Sequence, residues 1–94
     1  MIITLCGSLK FEWKFKDVKK KLEFFGYQVY TPQFFKEGVK KPPIEELVKE
    51  HQRKIDLADT ILIINVDGYI GDDTRNEIQY AEKHNKNVVY LEPV

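Results

Sequence analysis

Cysteine occurs once, at Cys6, so no internal disulfide can staple this chain, and a single thiol fits a reducing compartment. The two histidines, His51 and His84, lie far from Cys6 in the chain, and no zinc-type spacing exists around any of the three. No run of 18 apolar residues is present, and the apolar opening at residues 2–6 is too short for a secretory signal and lacks a basic leader. A cytoplasmic protein without membrane association is therefore expected. Charge of one sign is not in excess either: 15 Lys plus Arg face 15 Asp plus Glu, which removes any global pull toward a nucleic acid polymer or an anionic surface. Nothing in the sequence calls for a metal or a cofactor.

What is present is a packable chain. Hydrophobic residues make up 43% of the 94 residues and aromatics 13%, which excludes wholesale disorder and predicts one domain over 1–94. At this length roughly 60 to 65% of the unfolded surface can be buried, so a partner subunit would add useful stability.

Residues 1–6 read as a strand closed by Gly7-Ser8. Phe11, Phe15, Val18, Leu22 and Phe25 then recur at helical spacing, and Gly26 suits the end of that helix. Residues 27–31 read as a second strand stopped by Pro32. Residues 32–43 hold three prolines and a glycine and read as a loop. Ile44, Leu47, Val48, His51 and Ile55 mark a second helix that Pro43 can open. Residues 60–66, nearly all apolar and β-branched, read as a strand covered on both faces. A loop over 67–73, a helix over 74–84 with Ile78 and Ala81 inward, and a strand over 87–91 complete the chain.

This βαβαβαβ alternation predicts an α/β fold, a small flavodoxin- or Rossmann-like three-layer sandwich with four parallel strands in the order 2-1-3-4. The switch point falls between the first and third strands, so a ligand crevice is expected where residues 7–10 and 67–73 meet. The first helix covers one sheet face alone. Trp13 and Phe24 lie off its apolar stripe, so either a second copy of the chain packs there, giving a homodimer or higher oligomer, or both are singly exposed aromatics.

The strongest local signal is residues 67–77, DGYIGDDTRNE. Between residues 55 and 82, seven acids (Asp56, Asp59, Asp67, Asp72, Asp73, Glu77, Glu82) stand against Arg75, a formal charge of −6 that we expect around the crevice. Such a site suits a polyhydroxylated ligand or a carbocationic transition state. Glu77 is expected in the first turn of the third helix, where the helix dipole favours its ionised form by roughly 0.3 to 1 kcal/mol. The same spacing has a plainer meaning, because Thr74-x-x-Glu77 is a capping box in which Glu77 serves only the backbone.

The stretch DGYIGDDTRNEIQYAEKHNKNVVYL resembles the nucleoside 2-deoxyribosyltransferase-like family, including relatives that cleave deoxynucleoside 5′-monophosphates. Residues 5–8, LCGS, and 54–59, KIDLAD, resemble the same family's first-strand turn and entry to its third strand. The resemblance implies that Glu77 is the nucleophile of a retaining two-step displacement at the anomeric carbon of a 2-deoxyribosyl group. It also implies that Asp67 passes a proton to the leaving base, and that Asp72 or Asp73, with Gly68 and Thr74 in the same loop, holds the sugar. Gly7 would let the backbone approach the ligand, while Ser8 and Lys10 would meet a 5′-hydroxyl or phosphate. As a bare motif, Gly7-Ser8-x-Lys10 is equally a plain β-to-α turn capped by Ser8. The aromatic that many members carry just after the first strand is not at Gly7 or Ser8, and Phe11 belongs to the helix stripe.

The expected partner is thus a small nucleoside or nucleotide, and the expected activity is cleavage or transfer of the N-glycosidic bond. The rival reading is a non-catalytic nucleotide-binding module of the same fold. A response-regulator-like module holding Mg²⁺ lacks the lysine it would need late in the chain. His51 reads as a packing residue or an acid or base near the crevice, Cys6 as core or a reactive thiol, and His84 as a helix-end cap. The lysines of the first helix, interrupted by Glu12, Asp17 and Glu23, read as a solvated face. Phe34 and Phe35 read as loop anchors, a base-stacking pair or a subunit contact.

Overall fold

The computed structural model describes residues 1–94. Four parallel strands, β1 (Ile2–Gly7), β2 (Gln28–Tyr30), β3 (Thr60–Ile64) and β4 (Asn87–Tyr90), form one sheet in the order β2-β1-β3-β4. Helices α1 (Glu12–Phe24), α2 (Ile44–Leu57) and α3 (Asp72–Lys83) make the crossovers. Each parallel return needs such a crossover, and its right-handed bias leaves this order as the simplest outcome.

Side chains of a strand alternate between the two faces, and here that alternation divides the core. On one face Ile3, Leu5, Val29 and Ile64 pack with Phe15 and Val18 of α1. On the other, Cys6, Ile61 and Ile63 pack with Ile55 of α2 and Ala81 of α3. The even-numbered members of β1 therefore point toward α2 and α3: Thr4 Oγ1 donates to the Lys54 carbonyl at 2.7 Å, and Cys6 meets His51.

Two helix ends are closed alike. Gly26, at φ 93°, follows α1 in the left-handed region, with Tyr27 N–H bonded to Leu22 O and Gly26 N–H to Glu23 O. Asn85, at φ 61°, does the same after α3 through Lys86 N–H to Ala81 O and Asn85 N–H to Glu82 O. Both are Schellman closures, which need a residue tolerant of positive φ.

Several details differ from expectation. The third strand ends at Ile64 rather than 66, because residues 66–68 wind into a 3-10 turn. α3 begins at Asp72, two residues early, with Gly71 as its N-cap. Phe11 closes a 3-10 turn over Leu9–Phe11 ahead of α1 instead of lying within it, although its ring still packs on the core. Phe25, placed on the buried stripe by spacing, is 75% exposed because the Schellman closure turns the chain away from the sheet there.

Candidate active site

Because β1 and β3 are parallel neighbours, their carboxyl ends open side by side, and the loops leaving them meet. Lys10 Nζ sits 3.4 Å from the centroid of the Tyr69 ring, and Phe11 meets that ring edge-on at 5.9 Å. The expected juxtaposition of residues 7–10 with 67–73 is present. An aromatic pair, Phe11 with Tyr69, stands at the mouth. Gly7 is required where the strands are closest, since a Cβ there would lie 2.8 Å from Ile64 O and 3.2 Å from Phe15 Cζ.

α3 carries its inward side chains at helical spacing. Thr74 and Ala81 are buried, and Glu77 lies three residues after the one and four before the other, so its carboxylate is placed on the buried stripe. This overturns two expectations. Glu77 stands in the second turn rather than the first, and the capping box does not form, because Gly71 is the N-cap and Thr74 is a buried third helical residue. Glu77 Oε1 is buried and has no hydrogen-bond partner.

Two more polar groups reach the same spot from other elements. His51 takes an inward position on α2, one turn before Ile55, and Cys6 is the last inward residue of β1. Cys6 Sγ lies 3.3 Å from His51 Nε2, and His51 Nε2 lies 3.7 Å from Glu77 Oε1. One ligating atom from each of the three falls within 4.8 Å of the other two. The spacings of 45 and 26 residues hide this cluster from any local motif; its only signal was a polar residue on each of three apolar stripes.

Burial governs the charge state of the cluster. It pushes the Glu77 carboxyl up to about 7; the Cys6 thiol pulls it back somewhat, and the charge of Asp73 adds to the rise. Burial, assisted by the Lys54 cation, lowers His51 to about 4, so the imidazole is neutral near pH 7. Burial and then the neighbouring Glu77 carboxylate hold the Cys6 thiol well above its ordinary value. The helix-dipole argument for a readily ionised Glu77 is thus outweighed by desolvation. The side chain is 26% exposed, so solvent still reaches it.

The remaining site residues are placed as follows. Ser8 Oγ accepts from Lys10 N–H at 3.4 Å, so Ser8 caps the 3-10 turn and not α1. Asp67 is exposed and adopts φ 55°, followed by Gly68 at φ 78°. Its backbone N–H donates to Glu92 Oε2 at 3.0 Å, while Asn65, fully buried, exchanges two side-chain bonds with the Glu92 backbone. Asp72 and Asp73 occupy the exposed first turn of α3. Thr74, 3% exposed, supports the helix start from within and is not available to a ligand.

Acidity around the cleft is lower than the sequence suggests. Asp59 Oδ2 accepts from Ile2 N–H at 2.8 Å and Asp56 Oδ1 from Tyr80 Oη at 2.7 Å, so both serve the opposite, amino-terminal end of the sheet. His84 stacks on Tyr80 at 4.2 Å with Nδ1 on the Tyr80 carbonyl, a helix-end contact as expected. Phe34 packs edge-on against Phe15 at 5.3 Å as an anchor. It borders a groove of about 560 Å³ that also holds Phe35, Lys16, Lys36 and Lys54. A larger hollow of about 670 Å³ lies at the far end of α1 around Phe24 and Phe25, away from Glu77.

No helix is long and apolar enough to cross a membrane. No curated protein matches the chain. Among solved structures, a 2-desoxiribosyltransferase from Leishmania mexicana shares the fold, with a TM-score of 0.74 over 95% of this chain at 14% identity. The present chain spans 62% of that protein's length. Residues 4–90, nearly all of the sheet and its helices, match the family described as a domain of unknown function, DUF4406, and the chain belongs to that family.

Proposed function

We propose that the protein cleaves or transfers the N-glycosidic bond of a 2′-deoxynucleoside or its 5′-monophosphate, with Glu77 as nucleophile. The observation that carries this reading is the Glu77 carboxylate itself, held off its own helix start beside Cys6 and His51 with Oε1 free of any hydrogen bond. A carboxylate kept at the cost of burial, with no capping role to explain it, is what a nucleophile requires. The fold shared with a 2-desoxiribosyltransferase supports the same substrate class.

In the first step the ionised Glu77 attacks the anomeric carbon as the bond to the base nitrogen breaks. The bonding pair leaves with the base, which takes up a proton, and Glu77 holds the sugar as an ester. In the second step water or another base attacks that carbon and returns Glu77 as carboxylate. The oxocarbenium-like transition states gain from nearby negative charge. Asp67, exposed at the rim, would supply the proton. Asp73, whose charge is felt at Glu77 four residues on, would hold the sugar, with Asp72 one position farther round the helix. Gly68, in the same loop as Asp67, would line the sugar, while Lys10 and Ser8, with Gly7 giving close backbone approach, would meet the 5′ end.

The decisive experiment is mass spectrometry of the intact protein after mixing with a deoxynucleoside or deoxynucleotide, beside chromatography for free base. A deoxyribosyl adduct on Glu77 with base release supports the enzyme. Binding without base release selects the non-catalytic nucleotide-binding module instead. We further propose that two copies meet through α1, where Trp13 is 61% and Phe24 85% exposed, and that the protein works in the cytoplasm.

A further inference from the structure

We propose that Cys6, His51 and Glu77 form a three-ligand site for a thiophilic divalent cation of the Zn²⁺ type. Zinc bonds of about 2.3 Å to sulfur, 2.0 to 2.1 Å to imidazole and 2.0 to 2.2 Å to carboxylate place tetrahedral ligand atoms roughly 3.4 to 3.6 Å apart. The observed 3.3 Å from Sγ to Nε2 and 3.7 Å from Nε2 to Oε1 bracket that edge, and no pair of the three atoms exceeds 4.8 Å. Small side-chain rotations would complete the geometry.

Three features favour a cation over a packed polar cluster. The ligands come from β1, α2 and α3, so the set is fixed by the sheet and both helices of one layer. His51 is 7% exposed, with its Nε2 aimed into the set. Glu77 Oε1, buried beside it, has no other partner, and a buried acceptor left unmet is destabilising. A thiolate, an imidazole and one carboxylate suit Zn²⁺ and its surrogate Co²⁺ rather than Mg²⁺ or Ca²⁺, which prefer oxygen alone. Binding takes the proton from the Cys6 thiol, and from Glu77 when that is protonated, and releases it to the buffer. His51 Nδ1 lacks the hydrogen bond that usually orients a ligating histidine, so affinity should fall about 10- to 100-fold below a site with that support. A cation held there would occupy Glu77 and stop the proposed sugar transfer. That consequence, unlike the binding, rests on the proposed function.

The test is a Co²⁺ titration of the reduced, chelator-treated full chain without any nucleoside, so a failure of the proposed reaction cannot affect it. One equivalent should raise a thiolate-to-cobalt charge-transfer band in the near ultraviolet with the intense visible bands of four-coordinate cobalt. Zn²⁺ should bleach both, and excess Mg²⁺ should not. Cys6→Ser should lose the charge-transfer band, Glu77→Gln should bind at least about tenfold more weakly, and His84→Ala should behave as the parent. No charge-transfer band in the parent, or Glu77→Gln titrating like the parent, overturns the site. Circular dichroism confirms that each variant is folded, and Glu77→Gln, a near-isosteric change, carries the test should Cys6→Ser unfold.

Discussion

His51 Nε2 stands 3.3 Å from Cys6 Sγ although 45 residues separate them, and Glu77 closes the group from a third element. The contact follows from alternation. Cys6 falls on the α2 and α3 side of β1, and His51 lies one turn from the buried Ile55, so both are driven to the same layer. The charge states at this junction and the elements that hold it lead to four expectations.

Replacing Glu77 with Gln keeps shape and hydrogen-bonding capacity and removes the attacking oxygen's charge. Base release should fall at least ~10³-fold, with little change in substrate affinity. Steady-state kinetics beside calorimetric titration read both, and retained turnover refutes the nucleophile.

The proposed nucleophile must be ionised, and the Glu77 carboxyl is raised to about 7. In the presence of a chelator, kcat/KM should therefore rise tenfold per pH step below about 7 and level off above it. Stability runs the other way. With the folded value above the ordinary 4.5, the contribution of Glu77 is whole below pH 4.5 and is lost as pH rises through about 7. Glu77→Gln should melt like the parent at the acid end and higher above pH 7, by as much as about 3 kcal/mol.

A methyl group at Gly7 would press on Ile64 O and the Phe15 ring. Gly7→Ala should cost about 1 to 3 kcal/mol in urea unfolding, the range for overpacking a close contact. An unchanged midpoint would mean that β1 and α1 can part there.

Lys10 is exposed, with its ammonium over Tyr69. Should it meet a 5′-phosphate, Lys10→Ala should raise KM for a deoxynucleoside 5′-monophosphate about tenfold and barely alter KM for the nucleoside, the loss of one charge-assisted contact. Equal effects on both would remove Lys10 from phosphate recognition.

The sheet order was legible because nearly unbroken β-branched runs at 2–5 and 60–64 can only be strands covered on both faces, and helical stripes separate them. The meeting of residues 7–10 with 67–73 then followed from topology. The start of α3 was not legible: Asp72 and Asp73 read as loop residues, yet acids also favour a first helical turn, and Gly71 needs no side chain to begin it. That error of two residues placed Glu77 in the wrong turn and made a capping box plausible. The Cys6, His51 and Glu77 junction depends on three elements packing at once, which no spacing within one element reports. The spread of acids misled in the same way, since Asp56 and Asp59 belong to the far end of the sheet.

The posture of Asp67 is set from a distance. Its amide is held by the side chain of Glu92, and Glu92 is in turn held by Asn65. A backbone fastened by a side chain, and not by a neighbouring strand, can be re-aimed by a single exchange at position 92 without altering any group that would touch a ligand. Under the proposed reaction, selectivity at this rim would therefore be tunable from a residue that selection for binding contacts alone would overlook.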